Sequence, residues 1–214
     1  MPPAQLRLPE IPRPPREAVR LSKLFFALKP PEELARGLQE TAVLHCARHS
    51  AARSAYYADL LHVSLICLGE YAEPPLLMIA RIKDALDGFR ARPFGLSFDH
   101  TEFFGGRRHL VLVEKGPNAE FVQFWRMLRR ALVAGNVWRE RAGGITPHMT
   151  IVYDCREIPV MPLPLPFVWN VDEFVLVFSR FGRSRHEEQG RWQLDPAAPV
   201  YPRSPEQLDM KMIG

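Results

Sequence analysis

Two short segments of the same design lie 86 residues apart: Leu61-His62-Val63-Ser64-Leu65-Ile66 and Pro147-His148-Met149-Thr150-Ile151-Val152. Each alternates apolar and polar positions around a His-x-Ser/Thr centre. On a β-strand residues i and i+2 share a face, so each segment presents an imidazole and a hydroxyl together. Leu61, Val63 and Leu65, and likewise Met149 and Ile151, then turn to the opposite, buried face. A single His-x-Ser on a strand is commonplace. Two copies in apolar strands predict a fold that sets the strands side by side, with two imidazoles and two hydroxyls around one small anion.

The remaining pattern supplies strands and helices for such a fold. Lys23–Leu28 reads as a strand, and Pro30-Pro31-Glu32-Glu33 opens a helix that runs to about Arg48, with proline early and acids in the first turn. The first motif strand spans Leu61–Leu68. Leu76, Ile79, Ile82, Leu86 and Phe89 have helical spacing. Phe94, Leu96 and Phe98 alternate as a strand that pairs with His109–Lys115 across Gly105-Gly106. Asn118–Val133 is an amphipathic helix with Phe121, Phe124, Trp125, Leu128 and Leu132 on one face. After the second motif strand (His148–Tyr153), a Pro-rich connection, Pro159 to Pro166, leads to strands Glu173–Ser179 and Gly190–Leu194. Residues 1–19 are rich in Pro and Arg without periodicity and read as a flexible extension. Residues 196–214 read as a tail, which leaves a folded domain over 20–195.

Composition narrows the function classes. No run of about 18 apolar residues occurs, so no membrane span is expected. The start, Met1-Pro2-Pro3, lacks the apolar stretch of a signal peptide. Three cysteines, Cys46, Cys67 and Cys155, have neither a disulfide framework nor metal-like spacing, and a reducing, cytoplasmic setting is expected. A net charge of +4 leans toward anionic ligands.

Two histidines suit a phosphodiester. One neutral imidazole takes a proton from attacking water while a second, charged one gives a proton to the departing oxygen, and an ordinary imidazole supplies both forms near neutral pH. The Ser64 and Thr150 hydroxyls can donate to the non-bridging oxygens, where charge builds. The scheme needs no metal or other cofactor, and the sequence has no acidic cluster to hold a metal. His45 and His49, four apart on a helix, lack further ligands at matching spacing.

With Lys23–Leu28, the segment Leu68-Gly69-Glu70, Val171–Leu176 and Gly190–Leu194 in the same order, the chain resembles the 2H phosphoesterase superfamily. Within it, the likeness is to the bacterial 2′-5′ RNA ligase / RNA 2′,3′-cyclic phosphodiesterase family, over roughly residues 21–195. The resemblance implies a bilobal α+β fold, with two antiparallel sheets flanked by helices around a central cleft. It places the general acid on His62, the general base on His148 and phosphate binding on Ser64 and Thr150. It implies a monomeric enzyme that opens RNA or nucleotide 2′,3′-cyclic phosphates to 2′-phosphates, with weak 2′-5′ ligation. The alternatives are action on a small cyclic nucleotide, or an RNA- or nucleotide-binding module without catalysis. Relatives often carry Arg three positions after the second Thr, where this chain has Tyr153, which can stack on a base only if the strand ends or bulges there. Phe26 is a further stacking candidate weighed against core packing. Arg180, with Arg183, Arg185 and His186, reads as a basic loop at the rim.

Overall fold

The computed structural model describes residues 20–49, 55–104, 109–139, 143–153 and 160–200. The 1–19 extension, the Gly105-Gly106 turn, Cys155 and most of the expected tail lie outside the described residues. Eight strands form one antiparallel sheet: β1 (Ser22–Leu28), β2 (Val63–Tyr71), β3 (Phe94–Phe104), β4 (His109–Val113), β5 (His148–Val152), β6 (Pro162–Val171), β7 (Glu173–Arg180) and β8 (Arg185–Gln193). Their order across the sheet is β6-β3-β4-β5-β2-β1-β7-β8. The expectation of two separate sheets is therefore corrected. Two four-stranded halves meet at the motif strands β2 and β5 through a single register pair, Val63 with Met149. On their other edges β2 pairs with β1 and β5 with β4.

Three helices supply the main core: α1 (Glu32–Arg48), α2 (Leu76–Ala85) and α3 (Ala119–Ala134). α3 starts where the Asn118 side chain accepts the Phe121 N–H at 2.9 Å, satisfying one of the free donors of the first turn. It buries Phe121, Phe124, Trp125, Leu128 and Leu132, the stripe its spacing predicts. α2 ends before Phe89 because Gly88 adopts φ +71°, a left-handed conformation that a residue with a Cβ resists. Strand alternation divides β1 between two clusters. Leu24, Phe26 and Leu28 join the helix-backed core, while Phe25 and Ala27 pack with Val175 and Val177 on the other face.

From Pro162 on, the Pro-rich connection is a strand, and Pro159 lies outside the described residues. β6 carries Pro162, Pro164 and Pro166 and is an edge strand, paired on one side with β3. A proline there gives up an N–H that would otherwise face solvent, so the ladder to β3 survives. β8, the other edge, starts at Arg185, earlier than its apolar residues suggest. Beyond it the chain stays packed: Asp195 N–H donates to Ala91 O at 2.8 Å, and Ala198 is buried.

Candidate active site

The join between the two halves places the histidines. In an antiparallel pair with Val63 opposite Met149, His62 falls on the Thr150 side and Ser64 on the His148 side. The two motifs thus meet head to tail about a local two-fold centre. Val63 and Met149 are buried below, and His62, Ser64, His148 and Thr150 line one pocket above, about 1030 Å³ in volume.

Both imidazoles are oriented by the same device. His62 Nδ1 donates to Leu60 O at 2.8 Å, and His148 Nδ1 donates to Thr146 O at 3.0 Å, each two residues upstream. A carbonyl only accepts, so Nδ1 carries the proton in both rings, and Nε2 is the nitrogen left to work. His62 Nε2 lies 3.1 Å from Ser64 Oγ, which donates to it while the ring is neutral. The Phe25 ring packs against His62 at 5.1 Å between centroids, and Phe104 packs against His148 at the same distance.

The electrostatics modify the expectation of ordinary imidazoles. Burial pushes His62 down to about 4, against the favourable Leu60 hydrogen bond, with Lys29 and His148 adding repulsion. In the free protein His62 is therefore neutral at physiological pH. Any acid role requires it to gain a proton when an anion arrives.

The other candidates divide. Phe26 is fully buried against Phe174 and Trp192 on the helix-backed face, so its proposed stacking role is corrected. Strand alternation turns its neighbour Phe25 to the pocket instead. Tyr153 lines the pocket. Leu110 pairs with Val152 and Val111 with Thr150, so Ile151 is an extra residue in β5. This bulge buries both Ile151 and Val152 and reverses the alternation beyond them. Tyr153 then packs its ring 4.5 Å from Tyr56 and 4.6 Å from His109. Burial, with Tyr153 and Asp59 adding to it, pushes the Tyr56 phenol up to about 12, which keeps it protonated.

Arg180 also lines the pocket, but its guanidinium is held by Glu187 at 2.7 Å and Glu73 at 3.1 Å. The exposed cations at this rim are Arg20, Lys23 and Arg185. His186, expected in a basic loop, instead stands inside the pocket, its ring 5.0 Å from that of His62. Its signal in the sequence is its spacing from Arg180 across a tight turn, which sets it opposite Ser179 in the β7–β8 hairpin. His45 near the end of α1 and His49 just after it lie 4.6 Å apart with tilted rings, away from this pocket. Among the described residues no group of three His, Cys, Asp or Glu side chains is placed to hold a metal ion. No described helix is long and apolar enough to cross a membrane.

Paired His-x-Ser/Thr strands meeting at the centre of an antiparallel sheet define the 2H phosphoesterase class. The chain belongs to the 2′-5′ RNA ligase superfamily, whose family model matches residues 30–181. No curated protein sequence matches it significantly. Among solved structures it is similar to E. coli LigT complexed with 3′-AMP, with a TM-score of 0.66 and 25% identity over 82% of this chain and 99% of that one. E. coli LigT complexed with phosphate matches with a TM-score of 0.61 at 25% identity, over 81% and 98% of the two chains. A Thermus thermophilus protein, TT0787, at 20% identity and a TM-score of 0.60 over 80% and 97%, shares the fold.

Proposed function

We propose that the protein is a 2′,3′-cyclic phosphodiesterase that opens RNA or nucleotide termini to 2′-phosphates, with weak 2′-5′ ligation as the related side reaction. The observation that carries this reading is the matched orientation of the two imidazoles. Each Nδ1 is held by a backbone carbonyl, and both rings line one pocket. In the reaction His148 Nε2 takes a proton from water as its oxygen attacks phosphorus. The bond from phosphorus to O3′ breaks, and His62 Nε2–H protonates that leaving oxygen. Ser64 and Thr150 donate to the non-bridging oxygens, which gain charge in the transition state. Solvent then exchanges the protons and resets the pair. Both proton carriers are side chains, so the step needs no metal ion.

A chain terminus fits better than a free mononucleotide because exposed Arg20, Lys23 and Arg185 line the β1–β7–β8 side of the pocket. Those cations can meet phosphates upstream of the reacting one. The likeness to a LigT that holds 3′-AMP and phosphate supports a nucleotide-sized anionic ligand. The test is mutational. His62→Ala and His148→Ala should each lower turnover of a 2′,3′-cyclic phosphate by about a hundredfold or more. The double variant should lose far less than the product of the two, because the pair acts as a unit. Wild-type turnover in either single variant would overturn the reading.

A further inference from the structure

His186 lies beyond the family-matched segment, which ends at residue 181. It sits on β8 opposite Ser179 of β7, and its ring meets two others. It stands edge-on to His62 at 5.0 Å with 76° between planes, and edge-on to Phe25 at 5.8 Å and 80°. Phe25 in turn touches His62 at 5.1 Å. Each of the three rings therefore contacts the other two, and His62 is closed in on two sides. The Nδ1 of His186 is buried and has no hydrogen-bond partner among the described residues. With no hydrogen bond on that nitrogen, the ring is held there through its aromatic contacts with His62 and Phe25.

We propose that His186 is a positioning residue for His62: with Phe25 it forms an aromatic wall that fixes the His62 ring at the pocket and keeps water from its sides. The proposal rests on the acid role given to His62 above. Edge-to-face ring packing supplies orientation without a competing hydrogen bond. It leaves the one free nitrogen of His62 to Ser64 and the incoming phosphate. The groups facing His186 oppose any charge on it. Burial pushes it down to about 3, and His62 and Lys29 add repulsion. Lys23 and Arg185 line the same pocket, while Glu187 is committed to Arg180. A wall that stays neutral excludes water without adding a second proton beside His62.

The test uses the full chain and three variants. His186→Phe keeps the wall and removes both nitrogens, whereas His186→Ala opens it. His186→Thr, compatible with a strand, serves if the alanine variant does not fold. The His62 ring is titrated by nitrogen NMR with no substrate present, its signals assigned by their loss in His62→Gln. Wild type and His186→Phe should titrate together, and the opened variant should move at least one pH unit toward the ordinary 6.5. With a 2′,3′-cyclic mononucleotide, the opened variant should lose about tenfold in kcat with KM nearly unchanged, and His186→Phe should stay within about threefold of wild type. An unmoved His62 titration in the opened variant would overturn the wall. Equal loss of kcat in His186→Phe would overturn it too, by assigning the nitrogens themselves a part. If wild type turns over no cyclic phosphate, the proposed function fails, while the titration still decides the wall.

Discussion

Substrate binding should draw a proton into the protein. His62 sits near 4 in the free protein, so at pH 6.5 about 0.3% of it is charged. To act as the acid it must be charged in the complex, which requires its value to rise by about three units, or about 4 kcal/mol. A phosphodiester monoanion about 4 Å from the ring, at an effective dielectric constant of about 20, supplies about 4 kcal/mol. The two magnitudes match, so the bound anion alone can switch His62 on. The assay is calorimetric binding of a 2′,3′-cyclic mononucleotide to His148→Ala, which keeps the diester intact, in buffers of differing ionisation enthalpy. A diester does not titrate in this range, so any proton taken up belongs to the protein. Uptake should be about three-quarters of a proton per site at pH 6.5, peak near pH 5.5 and fall to about half at pH 4, where about half of free His62 is already charged. It should vanish in the variant that also carries His62→Gln. Tight binding without proton uptake would refute the reasoning and move the acid role off His62.

His62 and His186 also tie stability to pH: their folded values lie below the ordinary 6.5, so the unfolded chain binds more protons as pH falls from 6.5 toward 4. Stability should drop through that window, with His62 contributing about 3 kcal/mol, and His186→Phe should flatten a plot of Tm against pH. Thr150→Val, which keeps the branched shape and deletes the hydroxyl, should lower kcat by about 10–10³-fold with an unchanged fold, whereas Ser64→Thr should be tolerated; steady-state kinetics with circular dichroism checks both. Gly135→Ala should destabilise by about 1–3 kcal/mol in urea unfolding, because a Cβ at Gly135 would lie 2.3 Å from the Ala85 Cβ and no rotamer relieves it.

The parts of this structure legible in the sequence are those set by local period. The alternation around His62 and His148 and the α3 stripe are written within a few residues each. What escaped depends on distant partners. The prolines of β6 are compatible with a strand because no described residue pairs with its outer side, and that neighbour relation is not encoded locally. β8 is almost wholly polar because it is an edge strand. Phe25 and Phe26 are chemically alike, and only the sheet's two faces separate a pocket ring from a core ring. The bulge at Ile151 turns Tyr153 inward, and extra residues at Leu65 and Leu68 in β2 likewise bring exposed Cys67 to the pocket opposite Phe25. A bulge leaves little trace in an apolar run. His186 escaped because three arginines around it read as a solvated turn, while the hairpin register carries its ring back to His62.

The most direct test of the central claim is turnover of a 2′,3′-cyclic mononucleotide by the purified protein in excess EDTA, with the product identified by phosphorus NMR. The two-histidine mechanism predicts full activity under chelation, a single 2′-phosphate product, and loss of that signal in both His62→Ala and His148→Ala. Activity that disappears on chelation and returns with a divalent ion, or that persists without the histidines, would contradict it.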